Sequence, residues 1–329
     1  MKLVFMGTPE FAAASLRSLL DFQAARVLAV YCQPDRPAGR GKATHPGPVK
    51  RLALDRGLPV RQPQHFKTDA EVEALASLGA DIFVVAAYGL ILPQAVLDIP
   101  PLGALNVHAS LLPELRGAAP IQRAVISGAQ RTGISIMRME LRLDSGPVLL
   151  QRALGIGFAQ SAGELHDELA LLGGKLLTEA LARLGQGGLA AIPQDEARAT
   201  YAPKLEKNEG LLDFRQPGRV VHNLVRGVTP WPGARLRLVS LDEPDRPPLS
   251  VIVRKGRPLE GEEERALAAR VGAGAVLPLR EGLLPVACAD GLYAVERLKP
   301  DNGREMAATD FAGGYLKSGR WLALAPPLR

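Results

Sequence analysis

Lys2-Leu3-Val4-Phe5-Met6-Gly7-Thr8-Pro9-Glu10-Phe11 reads as strand, turn and helix. The apolar run stops at Gly7, Thr8 suits a helix N-cap, Pro9 suits the first helical turn, and apolar residues then recur at helical spacing to Leu20. The alternation continues outward from there. Residues 26–32 predict a second buried strand, 49–56 a helix, 58–60 a small strand, 70–78 a helix, and 81–88 a continuous apolar strand of the kind covered on both faces. Such alternation predicts an open, doubly wound, Rossmann-like α/β sheet.

Strands at 103–108, 132–139 and 148–154, a helix at 120–127 and a long amphipathic helix at 162–184 extend this unit to a first domain of residues 1–185. Residues 186–208, rich in Gly, Ala, Pro and charge, predict a linker. The rest, 209–329, has a different grammar: after a helix at 220–228 come five short runs, 234–239, 249–253, 275–279, 283–289 and 292–298, separated by turn residues. That spacing predicts a small OB-like β-barrel, an architecture that often carries nucleic acid.

Composition sets the outer limits. The 329 residues, 47% apolar and 22% charged, fit a soluble globular chain of two domains. The two cysteines, Cys32 and Cys288, form neither a C-x-x-C pair nor a disulfide framework, so a reducing compartment is expected. No apolar run reaches the ~20 residues of a membrane span, and the first residues do not read as a leader. The expectation is a cytoplasmic protein with no membrane association. The net charge of +6 suits a polyanionic partner without requiring one. It is locally concentrated, because residues 36–54 hold Arg36, Arg40, Lys42, Lys50 and Arg51 and no acid.

The turn at Gly7 lacks the G-x-G-x-x-G spacing, and no G-x-x-x-x-G-K-[ST] occurs, which disfavours nicotinamide and P-loop chemistry. Asn106-Val107-His108 says more. In a strand, positions i and i+2 share a face, so the amide and the imidazole project together, at the C-terminal strand end where open α/β sheets place their sites. An N-x-H triplet alone is weak, and His45, His65, His166 and His222 are best read as structural or merely exposed.

The surrounding motifs change its weight. Directly after the strand comes Ser110-Leu111-Leu112-Pro113-Glu114-Leu115-Arg116-Gly117-Ala118-Ala119-Pro120, and further on Leu143-Asp144-Ser145-Gly146. With Phe5 to Phe11, Arg36-Pro37-Ala38-Gly39-Arg40-Gly41-Lys42, Tyr88-Gly89-Leu90-Ile91-Leu92-Pro93, Tyr201-Ala202-Pro203-Lys204-Leu205 and Pro230-Trp231-Pro232-Gly233-Ala234, in that order, essentially the whole chain resembles the methionyl-tRNA formyltransferases. The resemblance implies 10-formyltetrahydrofolate as formyl donor and initiator methionyl-tRNA as acceptor. It implies Asn106, His108 and Asp144 as the catalytic trio, Ser110, Leu111, Leu112 and Pro113 with Gly89, Leu90, Ile91 and Leu92 as folate-binding segments, and Arg36, Arg40, Lys42, Lys204 and Lys207 as tRNA contacts.

These roles fit the chemistry. Formyl transfer from a folate nitrogen to an amine passes through a tetrahedral intermediate, which needs a donor to the oxyanion and a group that manages amine protons. An amide supplies the first, an imidazole the second, and a carboxylate can hold the ring. No metal is expected, and a monomer is expected. The alternative is another 10-formyltetrahydrofolate-dependent enzyme, either an amino-sugar-nucleotide formyltransferase or a formyltetrahydrofolate hydrolase. One departure stands out: Glu114 and Leu115 occupy positions where the family often has a basic residue followed by an aromatic.

Overall fold

The computed structural model describes residues 1–35, 45–317 and 319–326. Two compact units emerge. Met1–Pro120, Arg131–Gly155 and His166–Pro203 form the first, and Ile121–Gln130, Ile156–Leu165 and Lys204–Arg329 the second.

In chain order come β1 (Lys2–Gly7), α1 (Glu10–Leu20), β2 (Arg26–Tyr31), α2 (Pro48–Asp55), β3 (Val60–Arg61), α3 (Asp69–Ala76), β4 (Ile82–Ala86), α4 (Gln94–Leu97), β5 (Ala104–His108), α5 (Pro120–Ile126), β6 (Arg131–Arg138), β7 (Val148–Gly155) and α6 (Ala162–Gly185). The strands make one sheet in the order β3-β2-β1-β4-β5-β6-β7. β1 to β5 are mutually parallel, as the alternating pattern predicts. β6 departs from it by running antiparallel to both neighbours. The short connection 139–147 leaves no room for a crossover, so β6 and β7 close as a hairpin. Chain order reverses beside β1, and the neighbouring C-terminal strand ends are where an open sheet presents a ligand.

On the sheet, Val4, Met6, Phe83 and Val85 share a buried cluster with Leu75, Tyr88 and Leu97. The other side of β5 is covered by α6. A Cβ on Gly173 would stand 3.0 Å from Val107 Cγ1, and one on Gly174 2.2 Å from Ser18 Oγ, so two glycines let this helix lie close against β5 and α1. Val107 is thereby used for packing, and Asn106 and His108 keep the opposite face.

The second unit contains α7 (Gly218–Gly227), β8 (Ala234–Ser240), β9 (Leu249–Leu259), α8 (Glu262–Val271), β10 (Ala275–Val276), β11 (Leu284–Ala287), β12 (Leu292–Pro300), β13 (Met306–Ala307), α9 (Ala308–Phe311) and β14 (Trp321–Ala323). Its strands are ordered β11-β10-β14-β8-β9-β12-β13, and β11 also pairs with β12. Six strands therefore close a barrel, with β13 outside the ring. β8 shows the reason in miniature: Ala234, Leu236 and Leu238 point into the core with Val251, Val253, Val286 and Phe311, while Arg235 and Arg237 point away. The sequence pattern predicts five strands. The sixth, β14, is three residues long, too short for an alternation to register. α8 also goes unforeseen, because only Ala268 of its residues is buried and it carries no apolar stripe.

Two buried polar side chains tie this unit together. Arg226 is nearly inaccessible, and its guanidinium donates to Asn223 Oδ1 (2.9 and 3.1 Å), to the carbonyls of Gly157 and Gln160 (both 3.3 Å) and to that of Val125 (3.4 Å). One cation thus joins three separate stretches of chain. His222 is stacked on Phe158 with ring centroids 4.6 Å apart, and its Nε2 donates to the Phe158 carbonyl at 2.8 Å. Burial holds its pKa below the ordinary histidine value. A folded-state pKa lowered in this way means that the unfolded chain takes up the proton first, so stability falls as pH drops below about 6.5. Thermal unfolding between pH 7.5 and 5.5 should show a decline that His222→Gln flattens; an unchanged slope in that variant would remove His222 from the account.

Candidate active site

β5 sets the site. It is hydrogen-bonded on one side to β4, with Val85 opposite Asn106, and on the other to β6, with Met137 opposite Asn106 and Ser135 opposite His108. Central placement fixes the backbone that carries both side chains. Asp144 comes from the 139–147 connection, held at φ +50°, a left-handed conformation that Asp tolerates better than most residues. Its carboxylate meets three groups: Asn106 Nδ2 donates to Oδ1 at 3.3 Å, the Gly117 N–H donates to Oδ2 at 2.8 Å, and His108 Nδ1 lies 3.6 Å from Oδ2. Imidazole and carboxylate are both largely out of solvent, at 6% and 11% exposure, where charge interactions are weakly screened.

His108 Nε2 makes its own bond, 3.0 Å to the Leu115 carbonyl. A carbonyl can only accept, so Nε2 carries a hydrogen here. Leu115 is another left-handed residue, at φ +59°, and its N–H donates to Thr200 Oγ1. The position where a basic–aromatic pair is usual is thus occupied by a backbone that grips the ring, and Glu114 pairs with Arg198 at 3.3 Å.

The segment after β5 is fixed by internal bonds. Ser110 is buried, and its hydroxyl donates to the Glu114 carbonyl. Ser135 Oγ donates to the Ser110 carbonyl at 2.6 Å and accepts from the Leu112 N–H at 3.1 Å; Gln151 Nε2 donates to both the Leu112 carbonyl and Ser135 Oγ at 2.8 Å. Leu112 is buried with Met137 and Val148, whereas Leu111 and Pro113 are half-buried. Gly89, Leu90, Ile91 and Leu92 follow β4, the strand beside β5. Ile91 is 88% exposed and Leu92 is buried. Gly89 sits at φ +79°, and the preceding Tyr88 carbonyl accepts from Thr8 Oγ1, which in turn accepts from the Gln33 N–H. Loops after β1, β2 and β4 are joined by that one hydroxyl.

Several residues here escaped the sequence reading. Ser135 and Gln151 are ordinary strand residues until pairing brings them under the 110–113 segment. Arg116 has no solvent exposure, and its guanidinium binds Gln194 and Glu196. With Arg142 it holds the Glu196 carboxyl below the usual carboxylate range. The stretch 186–203 therefore packs on the first unit: Ile192 pairs with Val148, and Ala202 bonds to the backbone of Arg116, Ala118 and Ala119.

Arg36, Arg40 and Lys42 lie outside the described residues. Lys204 and Lys207 belong to the second unit and are exposed. Basic residues on the barrel are partly offset, since Arg235 pairs with Asp301 at 3.5 Å and Lys255 with Glu296 at 2.8 Å. Among the described residues, no helix is long and apolar enough to cross a membrane.

Comparison with known proteins gives a consistent result. Residues 1–181 match the family described as formyl transferase, and 204–316 the formyl transferase C-terminal domain. The methionyl-tRNA formyltransferase of Nitratidesulfovibrio vulgaris (strain DP4) is 52% identical over 316 residues, covering 96% of this chain and 93% of that one. The methionyl-tRNA formyltransferase of Chromohalobacter salexigens is 49% identical over 314 residues, 94% of this chain and 92% of that one. Among solved structures, an N-formyltransferase from Helicobacter canadensis in complex with folinic acid and dTDP-3-aminofucose superposes with a TM-score of 0.61 at 14% identity, covering 93% of this chain and 100% of that one. HypX from Aquifex aeolicus in complex with tetrahydrofolic acid gives 0.58 at 18% identity, covering 97% of this chain and 48% of that one. Identities this low speak for the fold alone.

Proposed function

The chain belongs to the methionyl-tRNA formyltransferases, and from that membership we propose how it works: Asn106, His108 and Asp144 carry the transfer of a formyl group from N10 of 10-formyltetrahydrofolate to the α-amino group of methionine on initiator tRNA. The observation that carries this reading is one carboxylate shared by an amide and an imidazole at the C-terminal end of a central strand.

The amine nitrogen attacks the formyl carbon, and a tetrahedral intermediate forms with its charge on the former carbonyl oxygen. Asn106 gives one amide hydrogen to Asp144 and directs the other at that oxygen, a donor fixed before the charge develops. His108 takes the proton that the attacking nitrogen loses and supplies one to N10 as the C–N10 bond breaks. The products are N-formylmethionyl-tRNA and tetrahydrofolate. Nε2 now donates to the Leu115 carbonyl; to take the amine proton the ring carries its hydrogen on Nδ1, facing Asp144, which frees the Nε2 lone pair for the attacking nitrogen. Asp144 keeps the ring turned toward the reacting carbon. Each proton and the oxyanion has a residue assigned to it, so the reaction is read as needing no metal.

The folate lies along the 110–113 and 89–92 segments, where backbone groups and apolar side chains suit a flat heterocycle. The tRNA is held through its phosphates by Arg36, Arg40, Lys42, Lys204 and Lys207. If those five bases each displace a counterion, raising monovalent salt from 50 to 200 mM lowers tRNA affinity on the order of 10²-fold, and Arg40→Ala loses formylation while folate binding is kept. Filter binding over a salt series measures the first; a flat profile would remove the electrostatic part.

One assay tests the function itself. Purified protein is given 10-formyltetrahydrofolate with methionyl-initiator tRNA, with an amino-sugar nucleotide, or with no acceptor. Formyl transfer to the tRNA alone is expected. Turnover only with the sugar, or hydrolysis without an acceptor at the same rate, would contradict it.

A further inference from the structure

Behind the Asp144 turn stands Gln194, fifty residues away in sequence. Its Nε2 donates to the Asp144 carbonyl at 2.8 Å and to the Gly146 carbonyl at 2.7 Å. Its Oε1 accepts from Arg116 Nε at 3.1 Å and Nη2 at 2.9 Å. Both hydrogens of the amide are spent on the turn, and its oxygen is spent on a guanidinium. That guanidinium is fixed in turn: it is fully buried, and its Nη1 and Nη2 bind the two oxygens of Glu196 at 3.2 and 2.9 Å. The next residue, Gly117, gives its N–H to the Asp144 carboxylate. The turn is therefore gripped at both ends of Asp144, main chain by Gln194 and side chain by Gly117.

We propose that Gln194 is a positioning residue for formyl transfer, acting through Asp144: by clamping the carbonyls of Asp144 and Gly146 it holds Asp144 in its left-handed backbone and so aims the carboxylate that Asn106 and His108 share. This rests on the trio carrying the reaction. The geometry leaves the turn one way to relax. A Cβ on Gly146 would come within 2.0 Å of the Arg138 carbonyl, so the backbone already touches β6 and can move only outward. With the two amide hydrogens removed, the main-chain clamp is lost, and only the Gly117 and Asn106 bonds to the carboxylate oppose a return of Asp144 to negative φ, which swings the carboxylate away from the ring. A misplacement of about 1 Å in a catalytic group costs on the order of 10² in rate.

Gln194→Glu isolates the effect in the full-length enzyme, because it keeps an acceptor for Arg116 and removes both donors to the turn. With 10-formyltetrahydrofolate and methionyl-initiator tRNA, kcat falls about 10- to 100-fold, and both KM values stay within about threefold. Placed on Asp144→Ala, the same change costs less than about twofold more, since the group it acts through is gone. Gln194→Met, of similar volume, gives the same split. A readout independent of turnover is amide exchange at Gly117, whose protection by Asp144 drops in Gln194→Glu while the β5 amides stay protected. Wild-type kcat in folded Gln194→Glu, an equal loss on the Asp144→Ala background, or unchanged Gly117 protection would overturn the proposal. Full activity of Asp144→Ala by itself would instead overturn the catalytic reading on which it rests.

Discussion

Alanine at Asp144 lowers kcat by about 10³-fold or more, with folate affinity changed only a few-fold. Three groups lose their common acceptor at once: the Asn106 amide, the Gly117 N–H and the Nδ1 side of the His108 ring. Asn106 no longer has its free hydrogen directed at the oxyanion, and the imidazole is held only through the Leu115 carbonyl. The loss falls on a state in which charge develops, not on binding, so it enters kcat more than KM. Asp144→Asn falls almost as far, because an amide that keeps the shape puts a donor against groups that themselves donate. Single-turnover formylation of methionyl-initiator tRNA, with the secondary structure of each variant verified, measures the effect. Turnover within tenfold of wild type would take Asp144 out of the reaction.

Arg226→Leu is the largest expected loss of stability. The substitution leaves the Val125, Gly157 and Gln160 carbonyls and Asn223 Oδ1 without their shared donor, inside a unit where water cannot easily replace it. The Val125 and Gly157 carbonyls keep the Gly128 and Gln160 N–H groups, so the main cost is the Asn223 amide oxygen stripped of its donor, ~1–3 kcal/mol for a buried polar group left unpaired. Burial, with the nearby Arg219 charge, holds the Arg226 pKa below the usual arginine value. Calorimetry should show the unfolding transition shifted down by several degrees. An unshifted transition would mean that Arg226 ties nothing together.

Much of this was readable from the residues. The Gly7 turn and the continuous apolar runs announce a parallel sheet, because strands buried on both faces leave a contiguous signal. The face shared by Asn106 and His108 follows from the two-residue period of a strand. Asp144 is different: a Leu-Asp-Ser-Gly turn is common, and only its order after the Asn-Val-His strand in a known family marked it out. The structural features that went unread are long-range. Gln194 and Arg116 sit 78 positions apart, and the stretch that holds Gln194 has the composition of a linker, since its contacts are made by backbone and polar groups and not by an apolar stripe. β14 is short, and its pairing with β10 and β8 brings Ala275 against Leu322 and Ser240 against Trp321, contacts that no local pattern records, whereas β11 and β12 are a hairpin turned between Ala287 and Leu292. Ser135 and Gln151 are chosen by the antiparallel register of β6 and β7, which depends on a hairpin that the parallel pattern does not foretell.

The most direct test of the central claim is a crystal structure with a non-transferable 10-formyl folate analogue. The formyl oxygen should lie about 3 Å from Asn106 Nδ2, with the His108 ring facing the same carbon and Asp144 still in contact with both. A formyl group bound more than about 6 Å from Asn106 and His108, with the trio undisturbed, would contradict it.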